Sequence, residues 1–154
     1  MLLSLAAWLG ALIFFPVVAQ TSFSALPSAH LAGRVVRGSL LKLHWMGIGC
    51  GVVFLACSLL LNRILLGRTR ALALSHILVL VMLALTALSQ FRIIPSMETL
   101  RMVAGEINAL TPSDPIRMQF DALHVWSIRI EGTVFVLGVI VLYLLSRRFV
   151  SSRA

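Results

Sequence analysis

Charge is scarce in this sequence. Only 12% of its residues are charged and five of them are acidic, whereas about a quarter of a soluble domain is charged. With 60% of its residues hydrophobic, such a chain cannot cover its own apolar surface, so lipid must do so. Cysteine is limited to Cys50 and Cys57. On a helix they stand about 10 Å apart along the axis, and a disulfide needs Cα atoms within about 7 Å. No Cys-x-x-Cys-His occurs, which excludes covalent haem attachment. No stretch alternates apolar and polar residues over a strand's length, which argues against a transmembrane barrel. Gly-x-Ser-x-Gly, P-loop and His-Glu-x-x-His motifs are also absent, so no familiar catalytic signature is present.

Long apolar runs dominate, and mean hydropathy is +1.02. A helix crosses the hydrocarbon with about 20 mostly apolar residues, and four stretches qualify: roughly 2–19, 40–61, 71–91 and 130–145. The expected fold is an all-α integral membrane four-helix bundle forming one domain over residues 1–154. The net charge of +8 comes from residues scattered between the runs, including Arg63, Arg68 and Arg70, then Arg147, Arg148 and Arg153. Without a basic stripe and interleaved aromatics, this pattern fits lipid headgroups and not nucleic acid.

The first run has a rival reading as a signal peptide, since Val17-Val18-Ala19 forms an acceptable cleavage pattern. No Lys or Arg precedes it, so a true span kinked near Pro16 is expected. Four spans put both termini on one face with the Asn62–Arg70 loop. That face carries six arginines, and the other carries seven basic residues with all five acids. Because the positive-inside rule weighs short loops most, both termini are expected in the cytoplasm of a cell-membrane protein.

Residues 92–129 are too many for a simple connection. From Pro95 the apolar side runs Met97, Leu100, Ala104 and Ile107, predicting an amphipathic surface helix over about 95–109, with Glu98 paired to Arg101. Thr111-Pro112-Ser113-Asp114-Pro115 breaks it, and Asp114-Pro115 starts the next helix. That helix runs unbroken to Arg147, about 50 Å against a hydrocarbon core of about 30 Å. Its first turns therefore protrude, with Arg117 and Asp121 paired.

Polar residues gather at one expected rim. His124 and Glu131 are seven apart and share a helix face, and His44 enters the second span from the same side. Arg34, Arg37, Asp121, Ser127 and Arg129 complete a candidate cluster at the bundle mouth. Gly47 and Gly51 form a small-xxx-small pair that admits a close neighbour. His76 lies near the opposite face. Ionisable groups within spans are costly, which makes them functional candidates. The alternative is structural: a histidine at the interface can simply hydrogen-bond a carbonyl or headgroup. Copper would find His44 and His124 with soft ligands in Met46, Met97, Met102 and Met118. Haem would use His44 and His124 axially. No Met-x-Met or His-x-x-His spacing supports either.

Several motifs together resemble a known family. They are Trp8-Leu9-Gly10, Phe14-Phe15-Pro16, Ala32-Gly33-Arg34, His44, Pro95-Ser96-Met97-Glu98 with Arg101, and Phe120-Asp121-Ala122-Leu123-His124 with Ser127. In order and spacing the chain resembles uncharacterised bacterial four-span membrane proteins similar to vertebrate transmembrane protein 205. That resemblance implies four spans. Through distant similarity to copper-resistance-type and four-helix protoporphyrinogen-oxidase-type membrane proteins, it implies a ligand role for His44 and His124. Glu131 departs from it, standing where the family pattern often has Asn. The leading functional expectation is an accessory or regulatory component of a membrane assembly, contacting lipid and other membrane subunits. A haem- or copper-binding bundle and a small transporter or channel component are the alternatives.

Overall fold

The computed structural model describes residues 1–66 and 74–151, with side chains for 1–64 and 74–147. Arg68, Arg70 and Arg153, the side chain of Arg148 and residues 71–73 of the third run lie outside that description. Helix α1 is Leu2–Ala25, α2 is Ala29–Leu66, α3 is Leu74–Leu88, α4 is Ile94–Ala104 and α5 is Pro115–Ser151. Four helices are long and apolar enough to cross a membrane, with α3 and α4 counting as one. The protein is an all-α, multi-pass membrane bundle.

Helix α1 continues past both Pro16 and Ala19. It lays Leu5, Trp8, Leu9 and Leu12 into the core, mostly against α2 and only lightly against α5. Helix α2 begins eleven residues before the expected start at Leu40, a difference of 40 − 29. No Gly or Pro breaks the stretch 29–39 strongly enough to stop it, and Ser28 Oγ accepts the Leu31 amide at 3.2 Å. Arg34 and Arg37 are therefore helical residues in the protruding first turns.

The connection after the third span differs most from expectation. The helix expected over about 95–109 is present as α4, which ends at Ala104. A π turn, Ser89–Ile93, joins α3 directly to α4, and the Ile94 amide donates to the Ser89 carbonyl as that wider turn requires. Pro95 follows at the start of α4, where its missing N–H is accommodated in the irregular turn. Gly105 then takes φ 70 and ends α4, a conformation glycine adopts without steric cost. A 3₁₀ turn at Ile107–Ala109 follows, and it buries Ile107. Helix α5 starts as expected: the Ile116 amide donates to Asp114 Oδ1 at 2.8 Å, and Arg117 sits 3.9 Å from Asp121.

The middle of the bundle is tightly filled. Trp8, Phe54, Val79, Met82, Val134 and Val141 are each no more than 2% exposed. Glycines permit this closeness. A Cβ on Gly47 would stand 2.5 Å from Trp8 Nε1, and one on Gly51 would stand 2.6 Å from Leu83 Cδ2. Gly138 on α5 plays the same part against Leu9, also at 2.6 Å.

Candidate functional site

The buried face of α3 runs Val79, Met82, Thr86, then Ser89 with Gln90, then Ile93 with Ile94. The doubling marks the extra residue of the π turn, which brings Gln90 inward beside Ser89. Gln90 Oε1 lies 3.0 Å from Nδ1 of His44. On the other side of the ring, Nε2 lies 2.6 Å from Oε1 of Glu131. His44 is only 1% exposed, and the Glu131 side chain retains 16%. Elements distant in sequence thus meet at one imidazole: α2 supplies it, the π turn one partner and α5 the other.

Two hydrogen arrangements with an ionised Glu131 satisfy this triad. With both ring nitrogens protonated, His44 donates to Gln90 Oε1 and to the carboxylate. With a neutral ring, Nε2–H donates to Glu131, and the Gln90 amide turns over so that its NH₂ donates to Nδ1. Either way both nitrogens of His44 are occupied. A ligand bond to iron or copper would need one of them, and would strip a buried group of its partner.

His124 is placed differently. It stacks on Phe120, one turn earlier, with centroids 6.5 Å apart and planes 9° from parallel. No contact joins it to His44 among the described residues, nor does any group of three or more His, Cys, Asp or Glu there suit a metal ion. With both ring nitrogens of His44 engaged, His44 and His124 do not fit as an axial haem pair.

The remaining rim residues divide. Arg37 stands 3.3 Å from Glu98 Oε2, and Arg101 approaches the same oxygen at 3.5 Å. The Arg101 guanidinium also lies 5.2 Å from the Phe120 ring centroid and passes over Gly33, where a Cβ would be 3.3 Å away. Arg34 faces outward. Arg129 is exposed too and lies over Trp126, 5.6 Å from its centroid. Asp121 keeps to its pair with Arg117, while Ser127 is buried one turn before Glu131. A second polar pair sits farther along the bundle: Ser58 Oγ and His76 Nε2 are 2.8 Å apart, both residues being buried.

Two cavities adjoin. A groove of about 600 Å³ lies between α1 and α5, walled by Leu12, Phe15, Phe23, Ile128 and Phe135, with Glu131 and His124 also lining it. At the mouth, a cavity of about 300 Å³ is lined by Arg37, Arg101, Asn108, Glu106 and Asp121 and shares Phe15, Phe23, Val36 and His124 with the groove. Glu131 therefore has two faces, one oxygen bonded to His44 and the side chain open to an apolar space.

A family profile described as a domain of unknown function, DUF4149, matches residues 3–106. The chain belongs to that family. The matched segment carries His44, Gln90, Arg37 and Glu98, while Glu131 and His124 lie beyond it on α5. Nothing matches among curated proteins or solved structures.

Sequence reasoning gathered His44, His124 and Glu131 at one rim, of which the structure joins His44 and Glu131, and it missed Gln90 and Gly138. Gln90 left a faint signal: with Ser89 it interrupts an apolar run, five residues before Pro95. Trp8 stood out only as part of the Trp8-Leu9-Gly10 motif, with no sign of its place over Gly47.

Proposed function

We propose that this protein is an accessory membrane component that acts by binding, with the Gln90–His44–Glu131 triad as its fixed polar centre. One observation carries the reading. Glu131 is held at 2.6 Å by a fully buried histidine while its carboxyl group borders an apolar groove of about 600 Å³. That volume is in the range of small-molecule sites, which combine apolar walls with a few placed polar groups. We place the protein in the cell membrane with both termini cytoplasmic, a reading supported by the arginines beside the spans. Kinship with bacterial proteins similar to vertebrate transmembrane protein 205 accords with the order of its motifs.

A transport path has less support. Trp8, Phe54, Val79, Met82 and Val134 close the space between the triad and the Ser58–His76 pair.

Native mass spectrometry of the whole chain, released from lipid nanodiscs, tests the proposal. Gly132 lines the groove, and a Cβ there meets nothing within 4 Å, so Gly132→Leu has room to intrude on the space. The expected result is a bound small molecule or subunit on the wild type that Gly132→Leu loses. A bare wild-type chain, in a strain where Gly132→Leu fully replaces it, overturns the reading.

A further inference from the structure

The groove beside Glu131 has a chemical character of its own. Its lining contains three phenylalanines, Phe15, Phe23 and Phe135, one carboxylate, Glu131, and no Lys or Arg. Among the described residues the carboxylate's only hydrogen bond is to His44, through Oε1. Oε2 is therefore left to whatever occupies the groove. An acyl chain or the apolar face of a neighbouring helix fills such a space but leaves that oxygen unsatisfied, at a cost in a medium without water. The ligand that completes the site has an apolar body and a positive charge. Aromatic faces attract cations through their quadrupoles, and a carboxylate in an apolar setting attracts them more strongly than one in water.

We infer that the α1–α5 groove is a binding site for lipophilic cations, with Glu131 as the counter-charge and Phe15, Phe23 and Phe135 as the aromatic wall. His44 is the positioning residue. It holds Oε1 of Glu131, while Gln90 holds the other side of the ring. With the imidazole neutral and Gln90 donating to Nδ1, the His44–Glu131 pair is net negative, and this is the arrangement a bound cation selects. Cations reach the groove laterally from the bilayer, or through the mouth cavity that shares Phe15, Phe23 and His124 with it. The inference rests on the binding reading above and adds the ligand class.

Equilibrium binding of tetraphenylphosphonium to the full chain in nanodiscs, corrected for empty nanodiscs, tests it beside the neutral triphenylphosphine oxide. Saturable binding of the cation is expected. Glu131→Gln, which still accepts from His44, should weaken it about tenfold or more, the scale of a lost charge-assisted interaction, and Gly132→Leu should abolish it. Where Glu131→Gln fails to fold, Gly132→Leu carries the test. Equal affinity for the neutral compound, sensitive to Gly132→Leu, overturns the cationic class and leaves groove binding standing. Unchanged cation affinity in a folded Glu131→Gln has the same effect. Binding of neither compound overturns the lipophilic-cation site, and the native mass spectrum then decides the binding reading by itself.

Discussion

His44 on α2 and Glu131 on α5 are 87 residues apart in sequence and 2.6 Å apart in space. This contact ties the second span to the last, and the third joins it only because the π turn presents Gln90 to the same ring.

His44→Ala leaves Glu131 and Gln90 without their shared partner. An unsatisfied buried polar group costs about 1–3 kcal/mol, so the melting temperature of the detergent-solubilised protein should fall by several degrees. Replacing all three members, His44→Phe with Glu131→Leu and Gln90→Leu, should recover much of that loss, since apolar groups of similar volume commonly match or exceed a buried polar set. A triple variant no more stable than His44→Ala would show that the loss does not come from stranded polar groups.

Gly47 and Gly49 are two residues apart and should respond oppositely. A Cβ at Gly47 meets Trp8 at 2.5 Å, whereas one at Gly49 meets nothing within 4 Å. Gly47→Ala is expected to destabilise by about 1–3 kcal/mol through overpacking. Gly49→Ala should be neutral, or stabilising by up to about 1 kcal/mol from helix propensity. Thermal melts of the two single variants check the sign.

Glu98 bridges Arg37 and Arg101 at the half-exposed rim. Pairs of this exposure contribute about 1 kcal/mol or less and weaken with salt. Glu98→Ala should therefore change stability far less than His44→Ala, with a difference that shrinks as ionic strength rises. A loss as large as that of His44→Ala would place Glu98 in the binding machinery.

Haem added to the purified protein should give no Soret band dependent on His44 or His124, because both nitrogens of His44 are engaged and His124 stacks on Phe120. A Soret band lost in His44→Ala and in His124→Ala would reverse that conclusion.

Much of the architecture was legible from residue order. The start of α5 could be read from Asp114-Pro115, because the cap is local: a side-chain oxygen accepts an amide two residues on. The Arg117–Asp121 and Glu98–Arg101 pairs were readable for the same reason, being set by helical spacing. The span read over 40–61 lies inside the longer helix α2, because a helix that leaves the bilayer need not stop. The direct junction of α3 to α4 was not legible because a π turn has no simple sequence signature. Its one extra residue is retained only when the face it turns inward, here Gln90, finds a partner.

Hydropathy and spacing alone determine that this chain spans the membrane on long helices, and that His44 and Glu131 belong to the same end of the bundle. Those properties follow from transfer free energies and helix periodicity, which act residue by residue. Tertiary packing alone decided that Gln90 completes the triad, that Trp8 fills the space over Gly47, and that His124 turns to Phe120 instead of His44. Each of these depends on how close two helix axes come and on their relative rotation, and that is set by side chains far apart in the chain.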